Sequence, residues 1–549
     1  MKKSTNFNRH CLIFIMQFAF YFSPSVLGGL EWGGGAVAQK NLSLRSSLSM
    51  TGSGCWGYVD GLGNEYALIG NGPGLSIVNI SDPDTPASLF YVPGYCYIWT
   101  EVKTWSTYAY FTSDGCSDTS NGLVIVNLAN LPDSINYKTW KGNGSIAGQV
   151  HACHTLQIEN GYAFLNGCNP AGLLILDLSD PWNPNYIGQY ANYVHDCLVR
   201  GDTVWTAEIY DGWFAAVDVT DKSNPVLLAS QITPNAFTHN VALSDDGNFL
   251  FTTDEVAGAY IASYDVSDFS DITELDRYRP SNVISEDEED HNTYYLNGFL
   301  INGDYGNRVT IVDAARPGNL IEVGRYDIDP TPCTTWGCIT WDVHPFLPSG
   351  NIIASDFNNG MYIFTPTYVR ACYLEGTVTD SITGNPLFNV KIEILSTVVT
   401  DSTNLTGIYK TGYADAGTYS VRFSKNGYIT KTISGVSLNN GVLTTLDVQL
   451  WDGTVGIPEF QDSDQMNNGT FIVYLSPGNG KFIIEINDYD IVVQNPEFRL
   501  MNIFGQLIFK SAIRNSQSEI LTTGFLPGIY FYEIIFSSET VFTGKLVFE

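Results

Sequence analysis

Positive charge is scarce in this chain of 549 residues, which has 26 Lys and Arg against 57 Asp and Glu and a formal net charge of −31 at pH 7. A surface that binds phosphate backbones needs clustered Lys and Arg, so the composition argues against nucleic-acid partners. It also argues against binding to anionic lipid surfaces. The acidic balance predicts a well-solvated exterior.

Several catalytic and metal signatures are missing. The sequence contains no His-Glu-x-x-His motif, no Gly-x-Ser-x-Gly nucleophile elbow and no Cys-x-x-Cys pair with zinc spacing. Long amphipathic helical patterns are also few, whereas glycine and aromatic residues are frequent, which is typical of an all-β protein. No stretch after the N-terminus is long and apolar enough to predict a transmembrane segment.

The N-terminus has the pattern of an export signal. Lys2 and Arg9 precede an apolar stretch at residues 12–22, and Ala-Val-Ala at 36–38 fits the small-x-small cleavage rule. We therefore predict a signal peptide at residues 1–38 and an extracellular or cell-surface location.

One short pattern occurs seven times: a glycine or polar residue, an apolar strand, and usually Asp or Asn before a turn that is often rich in proline. The apolar stretches begin at intervals of 41 to 52 residues, at Leu75, Leu123, Leu173, Phe214, Ile261, Val309 and Met361. A repeat of this length made only of strands indicates a β-propeller blade. The sequence thus predicts an all-β chain with a seven-bladed β-propeller at residues 39–369.

The seventh repeat lacks a fourth strand. Because an unpaired sheet edge is a liability, we predict that residues 41–45, which have strand character, supply that strand and close the ring.

Two smaller modules follow, each with short strands separated by glycine-containing turns. This spacing predicts small β-sandwich domains at residues 370–451 and 471–549, joined by a polar linker at 452–470. We predict flexible joints between the domains and a monomeric chain.

Three resemblances rest on particular motifs. The repeats, with turns such as Asp82-Pro83-Asp84-Thr85-Pro86, resemble the LVIVD-repeat propellers of the choice-of-anchor B family, which has no secure biochemical activity. The segment containing Gly376-Thr377-Val378 and Gly417-Thr418-Tyr419 resembles the transthyretin-like carboxypeptidase regulatory-like domain. That resemblance implies a structural module.

The C-terminal segment resembles the sorting domain of type IX secretion cargo in Bacteroidetes. Its motifs are Asn502-Ile503-Phe504-Gly505, Leu526-Pro527-Gly528 and Gly544-Lys545-Leu546; the usual opening Pro-Asn-Pro is replaced here by Pro477-Gly478-Asn479. The resemblance implies that the type IX machinery is a partner and that the protein crosses the outer membrane.

An exported chain can form disulfides. We predict three pairs from their positions beside hairpins or within a loop: Cys96 with Cys116, Cys153 with Cys168, and Cys333 with Cys338. Cys55, Cys197 and Cys372 have no obvious partner.

Histidines and acids recur at two positions of the blades. Residues at the start of the first strands are His151, His154, His195, Asp196, His239, Asn240, Asp290, His291, Asn292, Asp342 and His344. Acids at the ends of the second strands are Asp114, Glu208, Asp254, Glu255, Asp304 and Asp356. The two positions are neighbours in an antiparallel hairpin, so we predict a polar ring around one mouth of the channel.

Three hypotheses account for this ring. Repetition in every blade is typical of side chains that cap one blade against the next. The second hypothesis is a binding site for an extracellular glycan, peptide or protein, or for a divalent ion. The third is a metal-dependent hydrolase or lyase. Without a distinct nucleophile and base, we favour a binding module over an enzyme, and the sequence does not identify the ligand.

An acidic run at residues 285–290 precedes His291. Carboxylate oxygens are the ligands that Ca²⁺ takes, so a calcium site is an alternative to a solvated loop, with Asp290, His291 and Glu255 as candidate metal ligands. The sequence identifies no other cofactor. Trp99, Trp336 and Trp341 are candidates for stacking on sugars, although core packing is the commoner role of tryptophan.

Overall fold

The computed structural model describes residues 39–94, 99–114, 121–169, 172–280, 289–328, 339–452, 471–476, 481–486, 496–502, 506–513, 517–521, 528–536 and 539–548. The predicted signal peptide and nearly all of the predicted linker therefore lie outside the described residues. Within the described residues no helix is long and apolar enough to cross a membrane.

The described residues between 39 and 366 form short strands, with a 3₁₀ turn at Gly144–Ile146. The strands are β1 Gln39–Lys40, β2 Leu42–Leu48, β3 Gly52–Val59, β4 Glu65–Asn71, β5 Gly74–Asn79, β6 Ala87–Val92, β7 Thr100–Trp105, β8 Tyr108–Ser113, β9 Leu123–Asn127, β10 Asn136–Trp140, β11 Thr155–Glu159, β12 Tyr162–Asn166, β13 Leu173–Asp177, β14 Asn185–Tyr190, β15 Asp196–Arg200, β16 Thr203–Glu208, β17 Trp213–Asp218, β18 Val226–Ile232, β19 Thr238–Leu243, β20 Phe249–Asp254, β21 Ile261–Asp265, β22 Thr273–Tyr278, β23 Asp290–Leu296, β24 Phe299–Asp304, β25 Arg308–Asp313, β26 Ile321–Asp327, β27 Thr340–His344, β28 Ile352–Asp356 and β29 Gly360–Pro366.

These described strands form seven antiparallel sheets, which we call blades 1 to 7 in chain order. Blades 1 to 5 each contain four consecutive strands, and blade 6 adds β1 to the outer edge of β26. The inner strand of each blade contacts the inner strand of the next, and β27 of blade 7 contacts β3 of blade 1. The strands therefore form a closed ring, and the prediction of an all-β chain with propeller blades is confirmed.

The ring closes as the sequence predicted. β2 pairs antiparallel with β29, from Leu42 opposite Pro366 to Leu48 opposite Met361. An N-terminal strand thus completes blade 7, the blade formed by the last propeller residues, and covers an edge that would otherwise expose unpaired backbone groups.

The Asp or Asn that ends most repeat strands has a local role. Its side-chain oxygen accepts a hydrogen bond of 2.7–3.0 Å from the backbone N–H two residues later, which is an Asx turn. The residues are Asn79, Asn127, Asp177, Asp218, Asp265 and Asp313. This turn leads the chain from the third strand of a blade towards its outer strand.

The core of the propeller lies between blades. Each pair of neighbouring blades shares an apolar cluster; between blades 3 and 4, for example, Ile175 and Val204 are buried together. Between blades 7 and 1 the cluster contains Ile69 and Ile353. The alternation of apolar residues along the strands therefore serves packing between blades.

Where the structure describes them, the two remaining modules also consist of connecting turns and strands. These are β30 Cys372–Asp380, β31 Lys391–Ile394, β32 Thr400–Ser402, β33 Ile408–Tyr413, β34 Gly417–Ser424, β35 Lys431–Leu438, β36 Leu443–Thr445, β37 Val448–Leu450, β38 Phe471–Ser476, β39 Lys481–Ile486, β40 Glu497–Asn502, β41 Leu507–Ala512, β42 Gln517–Leu521, β43 Gly528–Phe536 and β44 Glu539–Phe548. Each module has two sheets: β33-β30-β36 (with β37 also on β30) and β32-β31-β34-β35 in the first, β38-β39-β42 and β41-β40-β43-β44 in the second.

The junction between the propeller and the first sandwich is packed, which contradicts the predicted flexible joint. Arg370 forms an ion pair of 2.7 Å with the fully buried Asp313 of blade 6, whose other oxygen accepts a 2.7 Å bond from the Ala371 N–H. Arg316 pairs with Glu375 at 2.9 Å. Because Ala371 also belongs to the apolar cluster of blades 6 and 7, the two modules share a core.

One predicted disulfide is confirmed, between Cys153 and Cys168. The other two predicted pairs, Cys96 with Cys116 and Cys333 with Cys338, lie outside the described residues. The three cysteines without a predicted partner, Cys55, Cys197 and Cys372, are buried free thiols.

Candidate functional site

Four histidines from successive blades form a continuous chain of rings. His154 and His195 directly precede β11 and β15, and His239 and His291 are the second residues of β19 and β23. Their ring centroids are 4.2 Å apart from His154 to His195, 4.4 Å from His195 to His239 and 4.0 Å from His239 to His291. We call these four side chains, together with the cavity beside them that His154, His239 and His291 line, the histidine mouth.

Backbone carbonyls of the next blade fix the orientation of three of these rings. Nδ1 of His195 bonds to the His239 carbonyl at 3.2 Å, Nδ1 of His239 bonds to the His291 carbonyl at 3.0 Å, and Nδ1 of His291 bonds to the carbonyl of Trp341. A carbonyl oxygen only accepts hydrogen bonds, so each Nδ1 carries the proton. In the neutral ring, Nε2 then keeps its lone pair.

Burial keeps these three imidazoles neutral. It lowers the pKa of His239 to about 4, and it lowers the pKa of His195 and His291 well below the usual value, with the neighbouring histidines adding to the shift.

His154 differs because its partner is a carboxylate. Burial alone lowers the pKa of His154, but Nδ1 lies 2.7 Å from the Asp114 carboxylate, which more than compensates and raises the pKa to about 9. His154 is therefore the imidazole that carries a positive charge at neutral pH.

Glu255, which directly follows β20, brings a carboxylate to the same mouth. Its two oxygens lie 3.8 Å from Nε2 of His239 and 4.0 Å from Nε2 of His291. Tyr305 donates a hydrogen bond of 3.1 Å to Glu255 and stacks on His291. Ligand atoms of His195, His239 and Glu255 all lie within 4.8 Å of one another, a spacing that suits a metal ion.

The residue after a mouth histidine, such as Asp196, and Asp342 at the corresponding place after Trp341 connect blades. Asp196 accepts hydrogen bonds from Asn240 (2.7 Å) and Thr155 (3.1 Å). Asp342 accepts from Asn292 and Tyr294, both at 3.0 Å, and from the backbone N–H of Cys55 at 2.9 Å. These predicted site residues thus make the contacts that the blade-cap hypothesis describes.

The predicted acids at the ends of the second strands have local partners. Glu208 is fully buried and accepts hydrogen bonds from Tyr190, Asn192, Thr206 and Trp213.

Three more of these acids also cap nearby backbone. Asp254 accepts from Thr233 and the Asn235 N–H, Asp304 from the Gly306 N–H, and Asp356 from the N–H groups of Asn358 and Asn359. Cross-strand pairing puts Asp304 opposite Asp290, next to His291, as predicted for a hairpin.

Other candidates lie apart from the mouth. His344 is buried against Trp56 and Phe346, and it makes no ring contact with the four histidines among the described residues. Trp341 donates its indole N–H to Glu101 at 2.7 Å and is buried, which leaves no face for a sugar. Trp336 and most of the acidic run, residues 285–288, lie outside the described residues.

Glu101 and Lys103 of blade 2 were not predicted as site residues, yet both line the cavity beside the histidines. Burial, helped by Asp342, raises the pKa of Glu101 to about 8. The Lys103 ammonium lies 4.3 Å from the Trp56 ring centroid. The sequence did contain a signal for Glu101. It lies 22 residues before Leu123, where the apolar stretch of its repeat begins, and His239 likewise lies 22 residues before Ile261.

The cavity is small: the space open to the centre of a water-sized sphere is about 10 Å³. That volume suits about one water molecule or one ion. A larger ligand therefore has to contact the rim of the mouth.

Four segments of the chain match three family profiles. Residues 62–92 and 154–192 match the LVIVD repeat, residues 373–451 the carboxypeptidase regulatory-like domain, and residues 472–549 the secretion system C-terminal sorting domain. The resemblances to the LVIVD repeat, the carboxypeptidase regulatory-like domain and the sorting domain are thereby confirmed, whereas the narrower assignments to the choice-of-anchor B family and to Bacteroidetes stay predictions. The sorting domain indicates export through the type IX secretion system to the cell surface or the extracellular space.

No curated protein sequence matches the chain. One similar solved structure is described as a candidate 6-phosphogluconolactonase from Bacteroides uniformis, with 13% identity over 50% of this chain and 86% of that chain and a TM-score of 0.40. Another is the WD40 β-propeller domain of Doa1, with 14% identity over 59% of this chain and 97% of that chain and a TM-score of 0.42.

Proposed function

We propose that the protein is a binding protein of the cell exterior and that the histidine mouth is its ligand site. In this proposal residues 1–38 direct the chain into the periplasm and are removed, and the C-terminal domain then carries it across the outer membrane. The ligand is an extracellular glycan, peptide or protein that contacts the rim of the mouth.

The observation that carries the proposal is the convergence of four histidine rings from successive blades. Burying polar groups at the centre of a protein is costly unless they are fully bonded. Only seven histidines occur in the chain, and four of them meet at this point. This concentration supports a role in binding in addition to blade packing.

Hydroxyl groups at the cavity favour binding over nucleophilic catalysis. The Thr155 hydroxyl proton is shared between the His195 carbonyl at 2.8 Å and Asp196 at 3.1 Å, and Tyr294 donates to Asp342 at 3.0 Å. Neither hydroxyl is bonded to an imidazole nitrogen that could remove its proton, as an activated nucleophile requires.

Export is tested by truncation. We expect a chain that ends at residue 470 to stay in the periplasm, while the full-length protein reaches the medium or the cell surface. Fractionation and surface protease treatment measure the difference. Surface display of the truncated chain would contradict the export part of the proposal.

Binding is tested at the mouth with His154→Gln, which removes the charged ring. We expect the exported protein to be retained on some of a panel of immobilised polysaccharides and peptides, and the variant to lose at least about tenfold in affinity while it remains folded at the assay temperature. The matched control is His344→Gln, which alters a buried histidine outside the mouth. Equal retention of all three proteins would exclude the mouth as the ligand site.

A metal-dependent hydrolase or lyase is the second candidate, and one observation favours it. With a pKa of about 8, Glu101 is protonated at neutral pH and lines the same cavity as the histidines, so it could serve as a general acid. Release of products from a retained polysaccharide or peptide, abolished in Glu101→Gln, would favour the enzyme. Retention without turnover would favour binding alone.

A further inference from the structure

We propose that His195, His239, His291 and Glu255 bind one divalent first-row transition-metal ion, with Zn²⁺ as the probe. This inference goes beyond ligand binding at the mouth and does not depend on the identity of the extracellular ligand.

The Nε2 lone pairs of the three histidines are available to bind a metal ion. The Nδ1–H of each of the three histidines donates to a backbone carbonyl of the next blade. This bond fixes the tautomer and leaves Nε2 as the free ligand atom. Metal-binding histidines are commonly held by a second-shell hydrogen bond of this kind.

Several hydrogen-bond acceptor atoms converge beside the Nε2 atoms of the histidines. Nε2 of His239 and Nε2 of His291 lie 3.8 and 4.0 Å from the Glu255 oxygens, beyond hydrogen-bond length. The Nε2 atoms of His239 and His291 and the carboxyl oxygens of Glu255 therefore converge without bonding to one another directly. A cation coordinated by these atoms would join them.

Blade capping alone does not account for this arrangement. A cap needs only one ring nitrogen, and Nδ1 already fills that role in all three residues. Capping does not explain why the partly buried Glu255 lies against the Nε2 atoms of His239 and His291. Glu255 keeps 25% of its side chain exposed, so it is also the ligand that can move to adjust the distances.

The spacing is close to that of a metal site. Zinc bonds of about 2.0–2.1 Å in a tetrahedron place ligand atoms about 3.3 Å apart. The observed separations, at most 4.8 Å for His195, His239 and Glu255, exceed this by roughly 0.5–1.5 Å, and rotation of the partly exposed Glu255 side chain can shorten its distances to the histidines.

The donor set selects the class of metal. Imidazole nitrogens with one carboxylate suit zinc and neighbouring first-row metals, whereas calcium takes six to eight oxygen ligands. Tyr305 donates to the Glu255 carboxylate, and together with Trp341 it forms an aromatic wall against His291. These contacts would hold the carboxylate in place and limit water access.

The experiment measures Zn²⁺ binding by the exported protein after it has been stripped with EDTA. We expect one ion per chain by calorimetry and elemental analysis. His239→Gln and Glu255→Gln should each weaken the affinity by at least about 100-fold. Tyr305→Phe, which removes only the hydrogen bond to Glu255, should weaken it by about 10-fold.

His344→Gln is the control, because this buried histidine lies outside the cluster; its affinity should equal that of the wild type. X-ray absorption at the zinc edge of the wild-type protein should show imidazole ligands and keeps the test valid if a variant fails to fold. The proposal is overturned by fewer than one tightly bound ion, by equal binding in Glu255→Gln, or by an absorption spectrum without imidazole.

Discussion

At the scale of single residues, the histidines of this chain fall into two groups with opposite surroundings. His154, His195, His239 and His291 contact one another at the mouth, whereas His344 is buried between aromatic rings. Neighbouring positions also differ: the histidine presents a ring to the mouth, and the next residue, such as Asp196, bonds to an adjacent blade.

The positions of the mouth residues could be predicted from the sequence, because they recur at a fixed place in each repeat. Their separate roles could not. Whether Glu208 faces the channel or the turn depends on four hydrogen-bond donors that lie up to 18 residues away in the sequence. Glu101 was missed because blade 2 carries an acid where four blades carry histidine.

His344 should make folding sensitive to acid. Burial lowers its pKa to about 3, against about 6.5 in the unfolded chain, so between these values the unfolded state binds a proton that the folded state does not. Stability therefore falls as the pH falls through this window. Between pH 7 and about pH 4.5, we expect the free energy of unfolding of His344→Gln to fall by roughly 1–3 kcal/mol less than that of the wild type.

Urea unfolding in EDTA at the two pH values measures this difference. His239 and the other buried histidines add a similar loss to both proteins, so only the difference between them is diagnostic. An unchanged pH dependence in the variant would show that His344 is not buried in its neutral form.

At the scale of elements, the strand pattern was predictable because two features of each repeat specify it. Apolar alternation fills the clusters between blades, and the terminal Asp or Asn forms the turn to the next strand. The closing strand β2 was also predictable, since blade 7 lacked a partner. The extra strand β1 on blade 6 was not, because two residues, Gln39–Lys40, carry no periodic signal.

Strand β2 offers a matched pair of substitutions. Leu42 is 1% exposed and belongs to the cluster of blades 6 and 7, whereas Leu44 of the same strand is 38% exposed. We expect Leu42→Ala to destabilise the propeller by about 2–5 kcal/mol and Leu44→Ala by about 0.5 kcal/mol or less. Thermal unfolding compares them, and equal losses would mean that β2 does not close the ring in solution.

At the scale of the whole chain, the modules and their order could be predicted from composition and motifs, but the packed junction could not. It depends on long-range contacts such as Arg370 with Asp313 and Asn319 with Glu375, which leave no local pattern in the sequence. A change in composition marks a domain boundary and gives no information on whether the two sides share a core.

Limited proteolysis should reveal this junction. We expect cleavage in the polar segment 453–470 and a resistant fragment that contains the propeller together with the first sandwich, because backbone at the junction is buried and bonded. Mass spectrometry identifies the cut sites. Early cleavage between residues 366 and 372 would show that the two modules move independently.

The central claim is that the histidine mouth of the propeller is a binding site, and its most specific form is the metal site of His195, His239, His291 and Glu255. Anomalous diffraction at the zinc edge, from crystals of protein recovered outside the cell and supplied with Zn²⁺, tests this form most directly. One strong peak per chain is expected, bounded by those four side chains. A map without that peak, in which the four side chains keep their positions, would contradict the metal site.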